Sequence, residues 1–529
     1  MKRERMLKAL RERGETPWDI IVIGGGATGL GTALDAASRG YHTLLLEQAD
    51  FSKGTSSRST KLVHGGVRYL AQGDISLVLE ALHERGLMRR NAPHLVKNQA
   101  FIIPNYDWWD GPFYTLGMKV YDMMAGKLGL GPSQLLSRKE VLQAIPNLKT
   151  DGLRGGVIYH DGQFDDSRLA VNIAQTCTEQ GGVVLNYMCV TDLIKNRIGI
   201  LSGVEVIDVE SGDTYTIQAR SVINATGVFV DEIMHMDEPD AAPLVRPSQG
   251  VHIILDKDFL KGDSAIMIPK TSDGRVLFAV PWHDRVVVGT TDTPLNRCTL
   301  EPRALEEEIE FILATAKQYL TREPRRKDIL SIFAGLRPLA APREGDPATS
   351  TKEISRSHHL RVSLSGLVTI TGGKWTTYRR MAEDTVNKAA MVGGLAYKKC
   401  RTEDMPIHGW ISNPDYQDPL YYYGSDADYM RDLVSDHPEL GKKLHERLPY
   451  TPIEIIWSAR YEMARTVEDI LARRQRALFL DARAALEMAP EVATILAREL
   501  ARELGRDESW QKEQVKQFTE LARGYFLED

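Results

Sequence analysis

Gly24, Gly26 and Gly29 stand in a G-x-G-x-x-G pattern, and a carboxylate, Glu47, follows further on. These residue types at this spacing serve one chemistry, the binding of a dinucleotide. The first glycine permits a tight turn, the second lets the backbone approach a pyrophosphate, and the third lets a helix pack closely on a strand. A helix N-terminus offers free N–H groups to phosphates. Glu47 stands where a carboxylate accepts both ribose hydroxyls of an adenosine. The pattern alone does not separate NAD from FAD.

Such residues need a strand, a turn, a helix and a second strand to hold them. Asp19–Ile23 is a short β-branched apolar run, long enough for a buried strand and too short for a helix. A helical pattern through Ala33, Leu34, Ala36 and Ala37 ends at Arg39-Gly40, and a second apolar run covers Thr43–Leu46. The small-residue segment from Asp50 to Leu70, rich in hydroxyls and carrying Gly65-Gly66, suits an extended stretch lining a flat ligand. Residues 76–90 read as a helix stopped by Pro93, and a helical stretch runs to Met124. We assign Trp108-Trp109 to the core of a cap domain in preference to a membrane interface. Gly155–Tyr159 reads as a strand, Asp166 as the N-cap of a helix through Leu169, Val171 and Ile173, and Ser211-Gly212-Asp213 as a hairpin turn. From Arg246 to Thr291 short strands alternate with turn signals, as in an antiparallel sheet. Pro302 is expected to open a helix, and strands return at Ile329–Phe333 and Leu367–Thr371. After about residue 389 the pattern is helical, with a capping box at Thr451-Pro452-Ile453-Glu454 and a helix opened by Pro490.

The 529 residues allow two or three domains. A net charge of −6 gives no footprint for nucleic acid. Cys177, Cys189, Cys298 and Cys400 are scattered without ligand-like spacing, against a disulfide framework or metal site and in keeping with a reducing compartment. No segment reads as a transmembrane helix. The basic N-terminus, with Met6, Leu7 and Leu10 on one side, suits either a helix lying on an anionic membrane surface or a solvated leader helix.

Several further motifs occur in order: Ser56-Ser57-Arg58-Ser59-Thr60-Lys61-Leu62-Val63-His64-Gly65-Gly66-Val67-Arg68-Tyr69, Asn224-Ala225-Thr226-Gly227, Gly289-Thr290-Thr291-Asp292, Gly335-Leu336-Arg337-Pro338-Leu339, Gly372-Gly373-Lys374-Trp375-Thr376-Thr377-Tyr378 and Ala464-Arg465-Thr466-Val467-Glu468-Asp469. With Gly24 to Glu47 they resemble the FAD-dependent glycerol-3-phosphate dehydrogenases. The resemblance implies an α/β architecture: a Rossmann-type FAD-binding domain of the glutathione-reductase-like, amino-acid-oxidase-like kind, an antiparallel β substrate domain and a C-terminal all-α domain. The expected boundaries are 17–80, 150–235 and 333–388 for the FAD-binding domain, 81–149 and 236–332 for the substrate-binding cap, and 389–529 for the helical domain.

Carried over residue by residue, the resemblance implies that Gly24, Gly26, Gly29 and Glu47 hold the ADP half of FAD. Ser56, Ser57, Lys61, Leu62 and His64 then line the flavin, Val190 lies by the adenosine, Thr226 and Gly227 close over the pyrophosphate, and Lys374 and Thr376 belong to a loop beside the flavin ring. Arg68, Tyr69, His252, Arg337, Arg356, Lys374 and Thr377 serve the substrate. The implied reaction oxidises sn-glycerol 3-phosphate to dihydroxyacetone phosphate. A phosphate dianion needs cationic forks, for which Arg68, Arg337 and Arg356 qualify, with Lys374 as a point charge. An arginine stays protonated and serves a developing alkoxide, so the proton acceptor is a histidine, His252 in preference to His64. His358-His359 reads as loop without metal-like companions. The family often carries Lys where Gln249 stands, which puts one substrate or flavin contact in question. By the same resemblance electrons pass to a membrane quinone, with an oxygen-using oxidase and a non-catalytic FAD sensor as alternatives. The protein is then cytoplasmic and peripherally membrane-associated, and a homodimer is a further expectation.

Overall fold

The computed structural model describes residues 1–66, 75–107, 110–269, 271, 276–341 and 358–528. Arg68, Tyr69, Arg356 and the Trp108-Trp109 pair lie outside the described residues.

Two sheets organise the molecule. In the first, Trp18–Ile23 lies between Thr43–Leu46 and Thr214–Asn224, parallel to both. Val183–Leu185 extends one side and Val368–Gly372 the other, also in parallel, and His358–Val362 adds an antiparallel edge. Ile20, Ile21 and Val22 are wholly buried, as continuous apolar runs are when a parallel sheet is covered on both faces. The helix Ala27–Ser38 packs against the strands and against the helices Asp166–Glu179 and Tyr378–Val392. Its approach to the last is close, since a Cβ on Gly31 would lie 2.6 Å from the Tyr378 ring. Met188–Lys195, Leu201–Asp208 and the N-terminal part of Thr214–Asn224 form an antiparallel extension whose hairpin turns at Ser211-Gly212-Asp213.

Among the described residues the second sheet is antiparallel apart from one parallel pairing, between Ala265–Ile268 and Val96–Asn105. Its long strand Val245–Asp256 is flanked by Arg285–Gly289 and Ser331–Ala340. Leu62–Val63, Gly155–Phe164 and Ser331–Ala340 fall almost wholly within the ranges expected for the FAD-binding domain, yet they pair into this second sheet. The chain thus crosses between the sheets inside those ranges.

Several helix boundaries differ from expectation, each for a local reason. Asp165, not Asp166, caps the helix at 166, accepting from the Ser167 and Arg168 amides and leaving the Asp166 carboxylate for other partners. Pro302 does not open a helix; the helix is Glu306–Tyr319, where the Glu308 carboxylate takes the Leu305 amide. Pro490 lies inside the long helix Ala482–Leu504, which is capped instead by Asp481. The Thr451–Glu454 cap is present, at the head of the ten-residue helix Pro452–Tyr461. His358-His359 is strand rather than loop, with His358 Nε2 3.1 Å from Asp384.

Among the described residues no strand follows Gly372. The C-terminal helices share a core with the second sheet: Phe479 packs on Phe333 with ring centroids 5.0 Å apart, beside Ile254, Leu480 and Ala485. The N-terminal helix Arg3–Arg13 is docked as well. Met6 and Leu10 are buried and Arg3 pairs with Asp208 at 2.9 Å and Glu210 at 3.0 Å, so these two apolar side chains are not available to a membrane. No helix among the described residues is long and apolar enough to cross a membrane.

Candidate active site

The glycine turn is built as its residue types require. Gly24 has φ +107°, and a Cβ there would lie 2.7 Å from the Ala225 carbonyl oxygen. A Cβ on Gly29 would lie 1.9 Å from the Gly24 carbonyl oxygen, so only glycine lets the helix start this close to the strand. Gly26 caps the helix and Ser56 Oγ accepts from the Ala27 amide at 2.9 Å. The half-buried Glu47 carboxylate accepts from Gly25 N at 2.6 Å and Ala49 N at 2.9 Å. Burial pushes its pKa up, and these two amides oppose the shift. A cavity of about 310 Å³ opens here, lined by Gly24, Gly26, Glu47, Ser56, Val190, Thr226 and Gly227 among others. Bare backbone at a helix N-terminus beside a half-buried carboxylate fits the ADP half of a dinucleotide.

A second cavity, of about 290 Å³, shares Thr55, Pro338, Gly372, Gly373, Lys374 and Trp375 with the first. It is lined by Leu62, His64, His252, Arg337, Lys374 and Thr376 of the expected set. The two cavities together suit a long ligand whose one end is a nucleotide and whose other end meets the substrate sheet.

His252 and Arg337 come from the adjacent strands Val245–Asp256 and Ser331–Ala340. The His252 ring is buried and stacks on Phe333, its cross-strand partner, at 4.9 Å and 16°. Its Nε2 lies 2.9 Å from Thr60 Oγ1, and its Nδ1 has no hydrogen-bond partner among the described residues. Burial, helped by the charges of Lys61 and Arg337, holds its pKa well below 6.5, so the imidazole is neutral. The Arg337 guanidinium donates to Thr290 Oγ1 at 3.0 Å and the Thr291 carbonyl at 2.9 Å, and lies 3.4 Å from Asp292.

Among the described residues, four of the expected set line neither cavity. Gly29 is consumed in the turn. Ser57 is buried, and Thr377 donates to the Lys374 carbonyl at the start of the helix Tyr378–Val392. The Lys61 ammonium donates to Asp166 Oδ2 and to the Ser57 carbonyl, both at 2.7 Å, amid Trp282, Phe333 and Phe479. Burial brings its pKa down to about 7 against the pull of Asp166. Gln249 also points elsewhere: it lies on the opposite face of its strand from His252 and donates to Glu308 Oε2 at 2.7 Å. The contact put in question by the absence of a lysine there is therefore not one in this cavity.

Sequence reasoning missed Thr60, Thr290 and the clearance glycines. A Cβ on Gly250 would lie 2.3 Å from Arg337 Nη2, and one on Gly289 would lie 2.4 Å from the His252 ring. Counting every second residue back from His252 would have flagged Gly250.

A family model described as FAD dependent oxidoreductase matches residues 19–379, and one described as the C-terminal domain of alpha-glycerophosphate oxidase matches residues 367–507. The mitochondrial glycerol-3-phosphate dehydrogenase of Schizosaccharomyces pombe is 39% identical, over 93% of this chain and 85% of its own length. That of Homo sapiens is 39% identical, over 99% of this chain and 75% of its own length. The solved structure of glycerol-3-phosphate dehydrogenase from Bacillus halodurans complexed with FAD is 29% identical with a TM-score of 0.78, covering 100% of this chain and 99% of that one. The long two-chambered cavity accommodates FAD by its shape and its donors, and the chain belongs to the FAD-dependent glycerol-3-phosphate dehydrogenase family.

Proposed function

We propose that this protein oxidises sn-glycerol 3-phosphate at C2 to dihydroxyacetone phosphate. The observation that carries the reading is a neutral, buried His252 on the same sheet face as Arg337, in a cavity that shares lining residues with the dinucleotide chamber. FAD, when bound, would supply the acceptor for the hydride that leaves C2. The chain's own residues supply binding, orientation and proton removal.

In the tautomer whose Nε2–H donates to Thr60 Oγ1, the lone pair lies on Nδ1, the nitrogen with no partner among the described residues. Removal of the C2 hydroxyl proton is assigned to this imidazole. Arg337 stays protonated and stabilises the oxygen as charge develops on it. Lys374 meets the substrate phosphate, and by the resemblance Arg68, Tyr69 and Arg356 complete the anion site. His64, Leu62, Thr376 and Ser56 are assigned to the flavin side, and Glu47 with the glycine turn to the ADP side. Phe101, Tyr159, Phe278 and Trp375 give the cavity aromatic walls.

For the electrons we propose a membrane quinone as acceptor, with the protein peripherally associated with the membrane, as the family resemblance implies. A second reading, oxygen as acceptor, is favoured by one observation, the match of residues 367–507 to the C-terminal domain of alpha-glycerophosphate oxidase. Anaerobic addition of glycerol 3-phosphate to the purified flavoprotein should bleach its visible absorbance, and an unbleached flavin would overturn the dehydrogenase reading in favour of a non-catalytic sensor. Stopped-flow reoxidation with a quinone analogue against dissolved oxygen then separates the acceptors. Rapid oxygen turnover with no response to quinone would replace the first acceptor with the second.

A further inference from the structure

The segment that carries Thr60 is held by a buried ionic cluster to which the C-terminal helical part contributes. Asp166, with none of its surface exposed, accepts at Oδ2 from the Ser59 amide at 3.1 Å, the Ser59 hydroxyl at 2.7 Å and the Lys61 ammonium at 2.7 Å. Its Oδ1 accepts from Arg476 Nη2 at 3.0 Å, and the same Nη2 reaches the Ser57 carbonyl at 2.8 Å. Thr60 is therefore bracketed on both sides by residues tied to one carboxylate. Lys61 and Arg476 both sit in the left-handed region, φ +64° and +68°, which costs a non-glycine residue roughly 1 kcal/mol or more. Two such residues meeting at one carboxylate mark a segment whose conformation the surroundings over-determine, a pattern that clusters at functional sites. The cluster is also more polar than packing requires: Arg476 lies against the Phe479 ring at 4.4 Å, and Lys61 lies within 5.3 Å of Trp282, Phe333 and Phe479, where aliphatic side chains would fill the space without desolvating charge.

We propose that Asp166 and Arg476 are positioning residues for the reaction: they clamp the turn of residues 57–61 so that the Thr60 hydroxyl holds the His252 ring in place. The clamp gives the C-terminal helical part a role at the active site, since its Arg476 reaches across to the turn beside the dinucleotide chamber. The inference rests on the reading of His252 as proton acceptor. Among the described residues, the charged groups facing His252 besides its Thr60 contact are Lys61 and Arg337, and those facing the clamp are Asp165, 3.8 Å from Arg476 Nε, and His283, 3.4 Å from Asp165.

The test is a double-mutant cycle on the FAD-bound enzyme, pairing Asp166→Asn with Thr60→Val, beside a His252→Gln control. Asp166→Asn is expected to lower kcat about tenfold with KM within twofold, and to have less than a twofold effect once Thr60 is already valine. Hydrogen–deuterium exchange gives an activity-free readout: the amides of Ser59 and Lys61 should exchange faster in Asp166→Asn and in Arg476→Lys, which keeps the charge but not the fork. Arg476→Lys serves alone if the asparagine variant does not fold. An undiminished Asp166 effect in the valine background, or unchanged exchange at residues 57–61, overturns the clamp and leaves His252 standing. A normal kcat in His252→Gln instead removes the base, and the clamp's purpose with it.

Discussion

His252 and Arg337 occupy one face of two paired antiparallel strands, four residues apart along them, with the pair Gly250–Gly335 between. Direct cross-strand partners share a face and so do alternate residues. Ser248, Gly250, His252, Phe333, Gly335 and Arg337 therefore make one surface, in which two glycines leave a trough between an imidazole and a guanidinium. Both ends of that trough line the second cavity.

The trough makes the two glycines unequal. The atoms nearest a methyl on Gly250 are the tip of Arg337 and the Thr290 hydroxyl, at 2.3 and 2.7 Å, so the arginine is expected to swing away while the fold survives. Gly250→Ala is expected to lower kcat/KM by about 10–100-fold, roughly 1.4–2.7 kcal/mol of transition-state stabilisation, with little change in Tm. A methyl on Gly335 instead meets the Arg58 Cβ at 2.9 Å and its backbone oxygen at 3.0 Å, which cannot swing. Gly335→Ala should cost about 1–3 kcal/mol of stability as an overpacked site. Thermal melts and steady-state kinetics on the two variants separate the cases, and a large Tm loss in Gly250→Ala would contradict the geometry.

For His252 the expectation is chemical. Replacement by Gln keeps a side chain near the stack on Phe333 and removes the base, so kcat should fall about 10²–10⁴-fold while the flavin stays bound. The pH dependence has a definite sign. On the proposed role as proton acceptor the neutral imidazole is the active form, and its pKa lies well below 6.5 because of burial and the charges of Lys61 and Arg337. Activity is lost as pH falls and the ring takes up a proton, so the acid limb of kcat should lie below pH 6.5. A limb at or above that value would mean that the ring is solvated during turnover.

In the dinucleotide chamber the expectation is loss of cofactor. Gly29→Ala drives a methyl to 1.9 Å from a backbone oxygen that belongs to the turn itself. The turn must open, and the protein should be recovered largely without flavin. Glu47→Gln keeps the shape but exchanges an acceptor-only carboxylate for an amide, whose donor end opposes either the Gly25 or the Ala49 amide. Flavin release on dilution, followed by fluorescence, should be faster in Glu47→Gln than in the parent protein, and Gly29→Ala should show the larger defect. Equal retention in all three would refute the assignment.

The sequence made the dinucleotide end legible because its residues act through backbone and lie within one strand–turn–helix–strand unit. Gly24, Gly26 and Glu47 can be read by spacing alone. The second cavity draws on strands far apart in sequence, and there spacing has no grip: His252 and Arg337 are brought together by a register that no local pattern encodes. Local preference also failed where tertiary partners competed for a side chain. Asp166 has the look of a cap, but Ser59, Lys61 and Arg476 claim it and Asp165 caps instead. Lys61 resembles a cofactor ligand and is turned into the protein by the same carboxylate. Pro490 suggested a helix start, yet the helix already begins at the Asp481 cap and runs through it.

The helix that begins at Asp166 ends at Glu179, and there a second histidine makes stability depend on pH. His408 Nδ1 lies 2.5 Å from Glu179 Oε1 and its Nε2 lies 2.9 Å from Asp426 Oδ2. Two carboxylates facing both nitrogens demand two donors, which is the imidazolium. Burial alone would lower the pKa, but the hydrogen bonds and charges of Asp426 and Glu179 outweigh it and push the pKa up to about 9. A group whose folded pKa exceeds its unfolded value stabilises the fold fully below the unfolded pKa and ceases to do so as pH rises through the folded one. The contribution of His408 is therefore complete below about pH 6.5 and fades towards pH 9, with a ceiling of about 3 kcal/mol from a shift of this size. Its practical effect is to tie the segment after residue 389 to the helix that carries Asp166 at its other end. His408→Gln should lower Tm most at pH 6 and progressively less as pH approaches 9, measured by calorimetry in buffers of matched ionic strength. A difference in Tm that does not change with pH would show that His408 is neutral and that the contact is packing alone.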